Sequence, residues 1–443
     1  MTDFFTDVPN AVAYEGPDSD NPFAFRWYDK DRVVMGKTME DQLRMAVCYW
    51  HSFAWPGTDI FGTGTFDRPW FDPSLDPMDA ARLKMDAAFE FFAKLGLPFF
   101  SFHDRDIAPE GATFAESCAN FDTMIDYAEQ KMADTGVRLL WGTAQLFYQP
   151  RYAAGAATNP NPDAFAHAAA QVKHCIDATH RLGGAGYVLW GGREGYEMLI
   201  NTDMLRELDQ LATFLHMVVD YKKSIGFDGT IFIEPKPQEP TKHQYDYDSA
   251  TVFGFLKSYG LEEEIKVNIE VNHATLSGHD FAHEIRQAAG DGIFGSVDAN
   301  RGDDRLGWDT DQFPNSVDQM ALGVYELLRA GGFTNGGFMF DTKLRRQSMH
   351  PSDLFHGHIG GADTMAKSLL VAAALIENGE IQALLDERYS GWSKPRGAAI
   401  MNRDIGLSEL HKMVLDGNID PAPVSGQQEM IENIINRTIE RIR

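Results

Sequence analysis

The chain has 443 residues, of which 44% are hydrophobic and 23% are charged, and its formal net charge is -26 at pH 7. A chain of this length can form one large domain or two, and it can bury a sizeable core. The strong negative charge excludes nucleic acid or an anionic membrane surface as the main partner, because both require basic patches.

The cysteines and the N-terminus predict a cellular location. Cys48, Cys118 and Cys175 are few and irregularly spaced, without a C-x-x-C pair, which indicates a reducing compartment. The first residues lack the basic and apolar regions of a signal peptide. No uninterrupted apolar run approaches membrane-spanning length. We therefore expect a cytoplasmic protein with no membrane partner.

In chain order, residues 1–44 contain Pro9, Gly16, Pro17 and Pro22 and predict an irregular lead-in. Short apolar runs then recur, and nearly all are followed by a stretch with helical spacing of apolar residues. The eight predicted strands cover residues 45–50, 98–102, 137–141, 186–190, 230–233, 265–269, 293–297 and 337–340. Strands that alternate with helices predict a parallel sheet, and eight of them predict a closed α/β (β/α)₈ TIM barrel over residues 45–380.

The remaining residues, 381–443, contain helical stretches interrupted by glycine and proline, with no further strand. Such a tail is small for an independent domain. We expect an extended C-terminal helical arm that contacts another subunit of a homo-oligomer.

Polar or aromatic residues follow the apolar part of every predicted strand. They are Trp50, His103, Trp141, Trp190, Glu234, Glu270, Asp298 and Asp341. In a barrel, the carboxyl ends of the strands meet at one mouth, where active sites lie. We therefore expect these side chains to surround one cavity, although no linear metal-binding motif is present.

The stretch from Ser296 to Pro314 adds further acidic residues, including Asp309 and Asp311, which are separated by one residue. Neighbouring carboxylates repel one another unless a cation lies between them. An isolated pair of this kind is more often a solvated loop. The nearby Gly302, Gly307 and Trp308 favour a metal site instead.

Together, the mouth is predicted to hold six carboxylates with His273 and Lys236. The six are Glu234, Glu270, Asp298, Asp309, Asp311 and Asp341. Two divalent cations would compensate most of their charge. Oxygen ligands favour Mg²⁺, and the imidazole of His273 also suits Mn²⁺ or Co²⁺. Any one of these residues alone is better explained as a surface acid or a structural histidine, so the hypothesis rests on their joint placement.

Several dispersed motifs resemble those of the xylose isomerase (glucose isomerase) family. They are Phe102-His-Asp-Arg-Asp106, Trp190-Gly-Gly-Arg-Glu-Gly195, Ile233-Glu-Pro-Lys-Pro-Gln-Glu-Pro240, Val297-Asp-Ala-Asn-Arg-Gly302 and Trp308-Asp-Thr-Asp-Gln-Phe-Pro314. The resemblance runs from about Tyr14 to the C-terminus, and the lead-in resembles the longer of the two classes of the family. Gln145 departs from the expected asparagine, which leaves the fine substrate preference open.

This resemblance implies a role for each predicted residue. Glu234, Glu270, Asp298 and Asp341 resemble the ligands of a first metal, and Glu270 is shared with a second metal that His273, Asp309 and Asp311 complete. His103, oriented by Asp106, resembles the group that assists opening of the sugar ring, and Lys236 resembles the cation that polarises the carbonyl. The expected substrate-binding residues are Trp50, Thr143, Phe147, Trp190 and Phe61, the last reaching into a neighbouring subunit.

The implied activity is interconversion of D-xylose and D-xylulose, and of D-glucose and D-fructose, by a homotetramer with two Mg²⁺ per subunit. The residues themselves suit a 1,2-hydride shift, because cations and Lys236 stabilise a developing alkoxide while aromatic walls exclude water. Two alternatives remain open at this point. One is a metal-dependent hydrolase or phosphodiesterase on the same barrel, and the other is a non-catalytic protein that binds a sugar or a metal.

Overall fold

The computed structural model describes residues 3–442. Eight strands, all in parallel pairs, form a closed barrel in which each strand pairs with the next along the chain and the last pairs with the first. They are β1 (Ala46–Cys48), β2 (Phe99–His103), β3 (Arg138–Thr143), β4 (Gly186–Trp190), β5 (Thr230–Glu234), β6 (Ile265–Glu270), β7 (Phe294–Asp298) and β8 (Phe338–Phe340). The (β/α)₈ prediction is confirmed.

Fifteen α-helices accompany these strands in the described residues. They are α1 (Met39–Leu43), α2 (Pro77–Leu95), α3 (Asp104–Ile107), α4 (Phe114–Thr135), α5 (Pro162–Arg181), α6 (Met204–Ser224), α7 (Ser249–Tyr259), α8 (Val271–Leu276), α9 (Phe281–Gly290), α10 (Val317–Arg329), α11 (Asp353–Asn378), α12 (Glu380–Tyr389), α13 (Pro395–Met401), α14 (Leu407–Gly417) and α15 (Gln428–Arg441). Local sequence sets many of the ends. The side chain of Asp76 caps the start of α2, and Gly96 ends it in a left-handed conformation that glycine adopts without strain.

The core has two parts, one outside and one inside the barrel. The larger cluster lies between the strands and the surrounding helices, whereas the smaller one includes Ala46, Val188 and Phe232. Alternate residues of a strand face the same side. Val188 therefore shares its face with Trp190, and Phe232 shares its face with Glu234. The same alternation that fills the barrel interior thus carries the strand-end side chains into its mouth.

The N-terminal lead-in is more ordered than the sequence predicts. The carboxylate of Asp363 on α11 accepts hydrogen bonds from the backbone N–H groups of Arg26, Trp27 and Tyr28, at 2.8–3.0 Å. Backbone donors of this kind stabilise a buried carboxylate. The lead-in is therefore attached to the helix that follows the last strand. Proline and glycine patterns do not reveal such a distant contact.

Helix α11, the longest helix of the described residues, follows the last strand of the barrel and spans Asp353–Asn378. It is long and apolar enough to cross a membrane by composition, with a mean hydropathy of 1.4 over its most apolar window, but 78% of that window is buried inside the protein. Its apolar length therefore fits a core helix that packs against the barrel.

Candidate metal-dependent active site

The carboxyl ends of the strands surround a cavity of about 750 Å³. Most of the predicted site residues line it: Trp50, His103, Asp106, Thr143, Phe147, Trp190, Glu234, Lys236, Glu270, His273, Asp309, Asp311 and Asp341. The strand register explains this convergence, because Glu234 pairs with Trp190, Glu270 with Asp298, and His103 with Thr143 across neighbouring strands.

The carboxylates form two clusters that share Glu270. One joins Glu270 to Glu234, Asp298 and Asp341, and the other joins it to Asp309 and Asp311. Within each cluster, one oxygen from every residue lies within 4.8 Å of the others. Glu270 is also grouped with Glu234 and His273 in this way. Such a shared carboxylate is the arrangement that two neighbouring cations require.

Burial makes this arrangement electrostatically costly. Desolvation, followed by repulsion from Asp309, Asp341 and Asp311, raises the pKa of Glu270 well above its usual value. The pKa of Asp298 is also raised well above its usual value, by desolvation and by the Glu234 carboxylate. Desolvation and the charge of Asp311 raise the pKa of Asp341 in the same way. Groups that resist ionisation so strongly need compensating positive charge to act as carboxylates.

Asp298 gives the clearest test of whether a cation fits. Its side chain is fully buried, and both of its carboxylate oxygens lack a hydrogen-bond partner. Buried polar atoms are normally hydrogen-bonded, so two orphaned oxygens beside Glu234 and Asp341 need a ligand. Hard oxygen donors of this kind suit Mg²⁺ or Mn²⁺, and the residues present fit such an ion.

Asp309 behaves differently from its neighbours. Desolvation alone would raise its pKa, but Lys236 and His273 outweigh burial and hold the pKa well below its usual value. The Lys236 Nζ lies 2.7 Å from Asp309 Oδ2, and His273 Nε2 lies 3.0 Å from the same oxygen. Desolvation by itself lowers the pKa of Lys236, but the charges of Asp309 and Glu270 have a larger opposite effect, so the pKa of Lys236 lies above its usual value. Lys236 therefore stays a cation in the cavity.

His273 is oriented for ligation by its second nitrogen. Its Nδ1 lies 3.0 Å from the carbonyl oxygen of Pro235, and its Nε2 lies 3.0 Å from Glu270 Oε2. A backbone carbonyl that accepts from Nδ1 fixes the tautomer and leaves Nε2 as the free ligand atom.

His103 lies apart from the carboxylates, on the aromatic side of the cavity. Its Nδ1 is 2.9 Å from Asp106 Oδ2, although the N–H direction is not aligned for a hydrogen bond. Its ring packs edge-on against Trp50, with 4.4 Å between ring centres, and against Phe147 at 5.6 Å. Its Nε2 is therefore the nitrogen left for a substrate.

The aromatic wall of the cavity consists of Trp50, Phe147 and Trp190, and the glycine-rich motif that begins at Trp190 supports it. Phe147 packs edge-on against Trp190 at 4.6 Å. A Cβ at Gly192 would lie within 2.7 Å of three atoms of the Trp190 ring, so only glycine fits there. The carboxylate of Glu194 accepts the backbone N–H groups of residues 156–158 at 2.9–3.0 Å. The glycine-rich motif that begins at Trp190 is thus a support for this wall.

Two of the predicted substrate-binding residues, Thr143 and Phe61, are placed differently from the aromatic residues of the cavity wall. The Thr143 hydroxyl is buried and donates to the carbonyl oxygen of Val188 at 2.6 Å, so it supports the strand ends. Phe61 is 90% exposed and is not among the cavity-lining residues. Arg346 holds its loop by donating to Gly57 O at 2.9 Å and to Thr63 O at 2.7 Å.

The sequence interpretation missed several residues of the site. His51 Nε2 lies 3.2 Å from Asp341 and 3.3 Å from Asp311, and Lys343 Nζ lies 2.7 Å from Asp311. Asn300 Nδ2 donates to Glu270 Oε1 at 2.7 Å, and Asn268 Nδ2 donates to Glu234 Oε2 at 3.1 Å. His51 follows Trp50 directly, Lys343 lies two residues after Asp341, and Asn300 lies two after Asp298. Extending the strand-end rule by two residues would have found these three.

Comparisons with known proteins agree over the whole chain. A xylose isomerase of Burkholderia ambifaria (strain MC40-6) is 60% identical over 440 residues, covering 99% of this chain and 100% of the relative. Xylose isomerases of Pseudomonas syringae pv. syringae (strain B728a) and Actinobacillus pleuropneumoniae serotype 5b (strain L20) are each 58% identical, over 98% and 100% of this chain and 99% and 100% of the relatives.

Two further comparisons concern parts of the architecture. Residues 385–439 match the family described as XylA2 C-terminal domain. The solved structure of an L-ribulose 3-epimerase superposes with a TM-score of 0.51 at 15% identity, covering 76% of this chain and 97% of that chain. This likeness shows the shared barrel fold alone.

Proposed function

The chain belongs to the xylose isomerase family and is an aldose–ketose isomerase, and we propose that it interconverts D-xylose and D-xylulose, and also D-glucose and D-fructose. The observation that carries the site assignment is the pair of carboxylate clusters sharing Glu270 beneath an aromatic wall.

We assign Glu234, Glu270, Asp298 and Asp341 to one divalent cation, and Glu270, His273, Asp309 and Asp311 to a second. Their buried, mutually repelling carboxylates support this assignment. When bound, such cations act as Lewis acids towards the sugar oxygens at carbons 1 and 2. Mg²⁺ is the proposed ion, with Mn²⁺ or Co²⁺ as substitutes, because oxygen donors outnumber the one imidazole.

The protein side chains would act first on the sugar ring. His103 Nε2 is proposed to exchange a proton with the ring oxygen and the anomeric hydroxyl during ring opening, while Asp106, 2.9 Å from Nδ1, keeps the imidazole in position. The open-chain aldehyde then lies along the wall of Trp50, Phe147 and Trp190.

The isomerisation itself is proposed to be a hydride shift. The hydrogen on carbon 2 moves with its electron pair to carbon 1, the proton of the carbon 2 hydroxyl passes to the oxygen on carbon 1, and carbon 2 becomes the ketone. The Lys236 Nζ, buried and 5.3 Å from the centre of the Trp190 ring, would donate to the oxygen on carbon 1 as negative charge develops there. The six carboxylates are engaged in the two clusters, and the opposing wall is largely aromatic, which favours a hydride shift over removal of a proton from carbon 2.

One experiment tests both activity and mechanism. D-xylose deuterated at carbon 2 is incubated with the protein and Mg²⁺, and xylulose is analysed by NMR. A hydride shift places the deuterium on carbon 1 of xylulose with almost none in water. Loss of the label to solvent would show that a proton is transferred, and failure to form xylulose would contradict the proposed function.

We also propose a cytoplasmic homotetramer in which residues 381–443 form the contact arm. The arm exposes apolar side chains that water would not favour, including Trp392 (52% exposed), Leu407 (87%) and Leu415 (66%). The exposed ring of Phe61 is proposed to complete a neighbouring subunit's site. The lead-in of residues 1–44, the barrel of residues 45–380 and this arm are our proposed division of the chain.

A further inference from the structure

A second group of potential metal ligands lies outside the cavity, where the starts of α7 and α9 meet. It consists of His279, His283 and Glu284, whose ligand atoms all lie within 4.8 Å of one another. Asp248, which caps α7, places its Oδ2 4.0 Å from His279 Nδ1. These residues are not among those that line the active-site cavity.

Two of the three side chains are fixed in place. Glu284 is 3% exposed, and its Oε2 accepts the backbone N–H of Ser249 at 3.0 Å. Its other oxygen, Oε1, lies 2.5 Å from His279 Nδ1. The turn that carries His279 is held by a hydrogen bond from its backbone N–H to the carbonyl oxygen of Ala274, at 2.9 Å. One imidazole and one carboxylate are therefore presented together without any rearrangement of the backbone.

The third side chain is free to move. His283 is exposed, and its imidazole has no hydrogen-bond partner among the described residues, whereas its backbone N–H donates to the Asp280 carboxylate at 2.7 Å. Its ring lies 4.5 Å from the ring of His279, centre to centre, at an angle of 56°. A tetrahedral ion with bonds of about 2.0–2.1 Å needs donor atoms about 3.3 Å apart. Rotation of the His283 side chain supplies the remaining approach.

The charged side chains around this group favour a cation, although the N-termini of α7 and α9 carry partial positive charge that would repel one. Each helix N-terminus contributes roughly half a positive charge. Asp248, Asp280 and Glu284 together carry three negative charges when ionised, which outweighs both. The guanidinium of Arg286, two residues beyond Glu284 on α9, is paired with Glu326, with Nε 2.9 Å from Oε2.

We propose that His279, His283 and Glu284, with Asp248 at the edge, form a separate binding site for a transition-metal ion such as Zn²⁺. Two imidazoles and one or two carboxylates favour such an ion over Mg²⁺, which prefers oxygen ligands alone. The bound ion joins the start of α9 to the start of α7. It also fixes the turn after α8, the helix that carries His273.

The two kinds of site differ in their number of nitrogen ligands, and this difference makes the proposal testable. Cu²⁺ is the probe, added at one equivalent per subunit to untagged protein in excess Mg²⁺. Electron paramagnetic resonance then reports the nitrogen couplings of the bound ion. We expect coupling to two imidazole nitrogens. The ligands assigned to the catalytic cations include one imidazole, that of His273, but His51 Nε2 lies within 3.3 Å of Asp311 and Asp341, so the variants below identify which histidines bind the ion. A tightest site that couples to one imidazole or to none would overturn the proposal.

Two variants separate this site from non-specific surface binding. His283→Ala removes an exposed ligand, so the fold is retained, and the bound Cu²⁺ should couple to one imidazole only. Its affinity for Cu²⁺ should be at least about tenfold weaker, because even mutation of residues that only support metal ligands typically costs 10–100-fold in metal affinity. His411→Ala removes another exposed histidine, on α14, and is the matched control. Unchanged coupling in His283→Ala, or an equal loss in both variants, would contradict the proposal. Turnover of xylose with Mg²⁺ should be equal in both variants and wild type. The nitrogen coupling of bound Cu²⁺ is measured without turnover, so this test of the second site does not depend on the proposed function.

Discussion

Glu270→Gln is the most informative single change, because it should affect the metal-free and metal-loaded protein in opposite directions. Glu270 is 2% exposed and is shared by both carboxylate clusters. Glutamine keeps the shape and can still accept the hydrogen bond from Asn300 Nδ2, which is 2.7 Å long with glutamate. What it removes is one ionisable carboxyl group.

In the metal-free protein this removal should be stabilising. The pKa of Glu270 is raised well above its usual value by desolvation and by Asp309, Asp341 and Asp311. A raised pKa in the folded state means that the protonated form is favoured, so ionisation destabilises the fold as pH rises above the usual glutamate range. Glutamine, which does not ionise, is therefore expected to unfold at a higher temperature than wild type in the metal-free state, and the difference should grow as pH rises above the usual glutamate range.

With metal present, the sign should reverse. Both cations lose a ligand, and changes to residues that merely support ligands already cost 10–100-fold in affinity. We expect Mg²⁺ to bind at least about 100-fold more weakly, which corresponds to about 2.7 kcal/mol. Most of the isomerase activity should be lost as well.

The assay is thermal unfolding of wild type and Glu270→Gln in EDTA and in Mg²⁺ at pH 8, with metal content measured alongside. Asp304→Asn is the control, because Asp304 is an exposed acid outside the cavity, in the loop after β7, and its replacement should change the melting temperature in neither condition. Two tightly bound ions with near-normal turnover in Glu270→Gln would refute the shared-ligand assignment. A lower melting temperature than wild type in EDTA would refute the electrostatic reasoning.

Three further predictions concern other parts of the molecule. His103→Asn should slow turnover of cyclic sugar while some isomerisation of open-chain sugar remains; equal, total loss on both forms would place His103 in the hydride step instead. Deleting residues after 385 should lower the oligomeric state in sedimentation before it unfolds the barrel, and an unchanged number of subunits would refute the assembly arm. Burial lowers the pKa of His358 from 6.5 to about 4, so the unfolded chain binds its proton first and stability should fall by about 3 kcal/mol between pH 6.5 and 4. His358→Leu should lose that part of the pH dependence, and an identical pH profile would contradict it.

The sequence was sufficient for the barrel and for most of the candidate site. Eight apolar stretches separated by helical spacing predict parallel strands with crossovers, and topology then requires their carboxyl ends to meet. Glu234, Glu270 and Asp298 end their strands in the structure, as predicted. Their positions follow from strand alternation and need no knowledge of the surrounding loops.

Residues on loops were harder to place from the sequence. His51 lies in a turn of π-helix after β1, and Lys343 lies in an irregular stretch after β8. Neither has a periodic pattern around it, and a single histidine or lysine is usually a surface residue. Their contacts with Asp311 and Asp341 exist only because distant loops fold over the same cavity.

The amino-acid sequence is enough to identify the strand-end side chains that reach the mouth of the barrel, because the period of a strand and the closure of the sheet fix the direction of each of them. The electrostatic state of these side chains, in contrast, follows from contacts that form only in the folded protein. Lys236 faces Asp309 at 2.7 Å, so the pKa of this carboxyl group is held down, whereas Asp298 has no hydrogen-bond partner and its pKa is raised. Such differences depend on burial and on distances of a few ångströms between residues far apart in the chain.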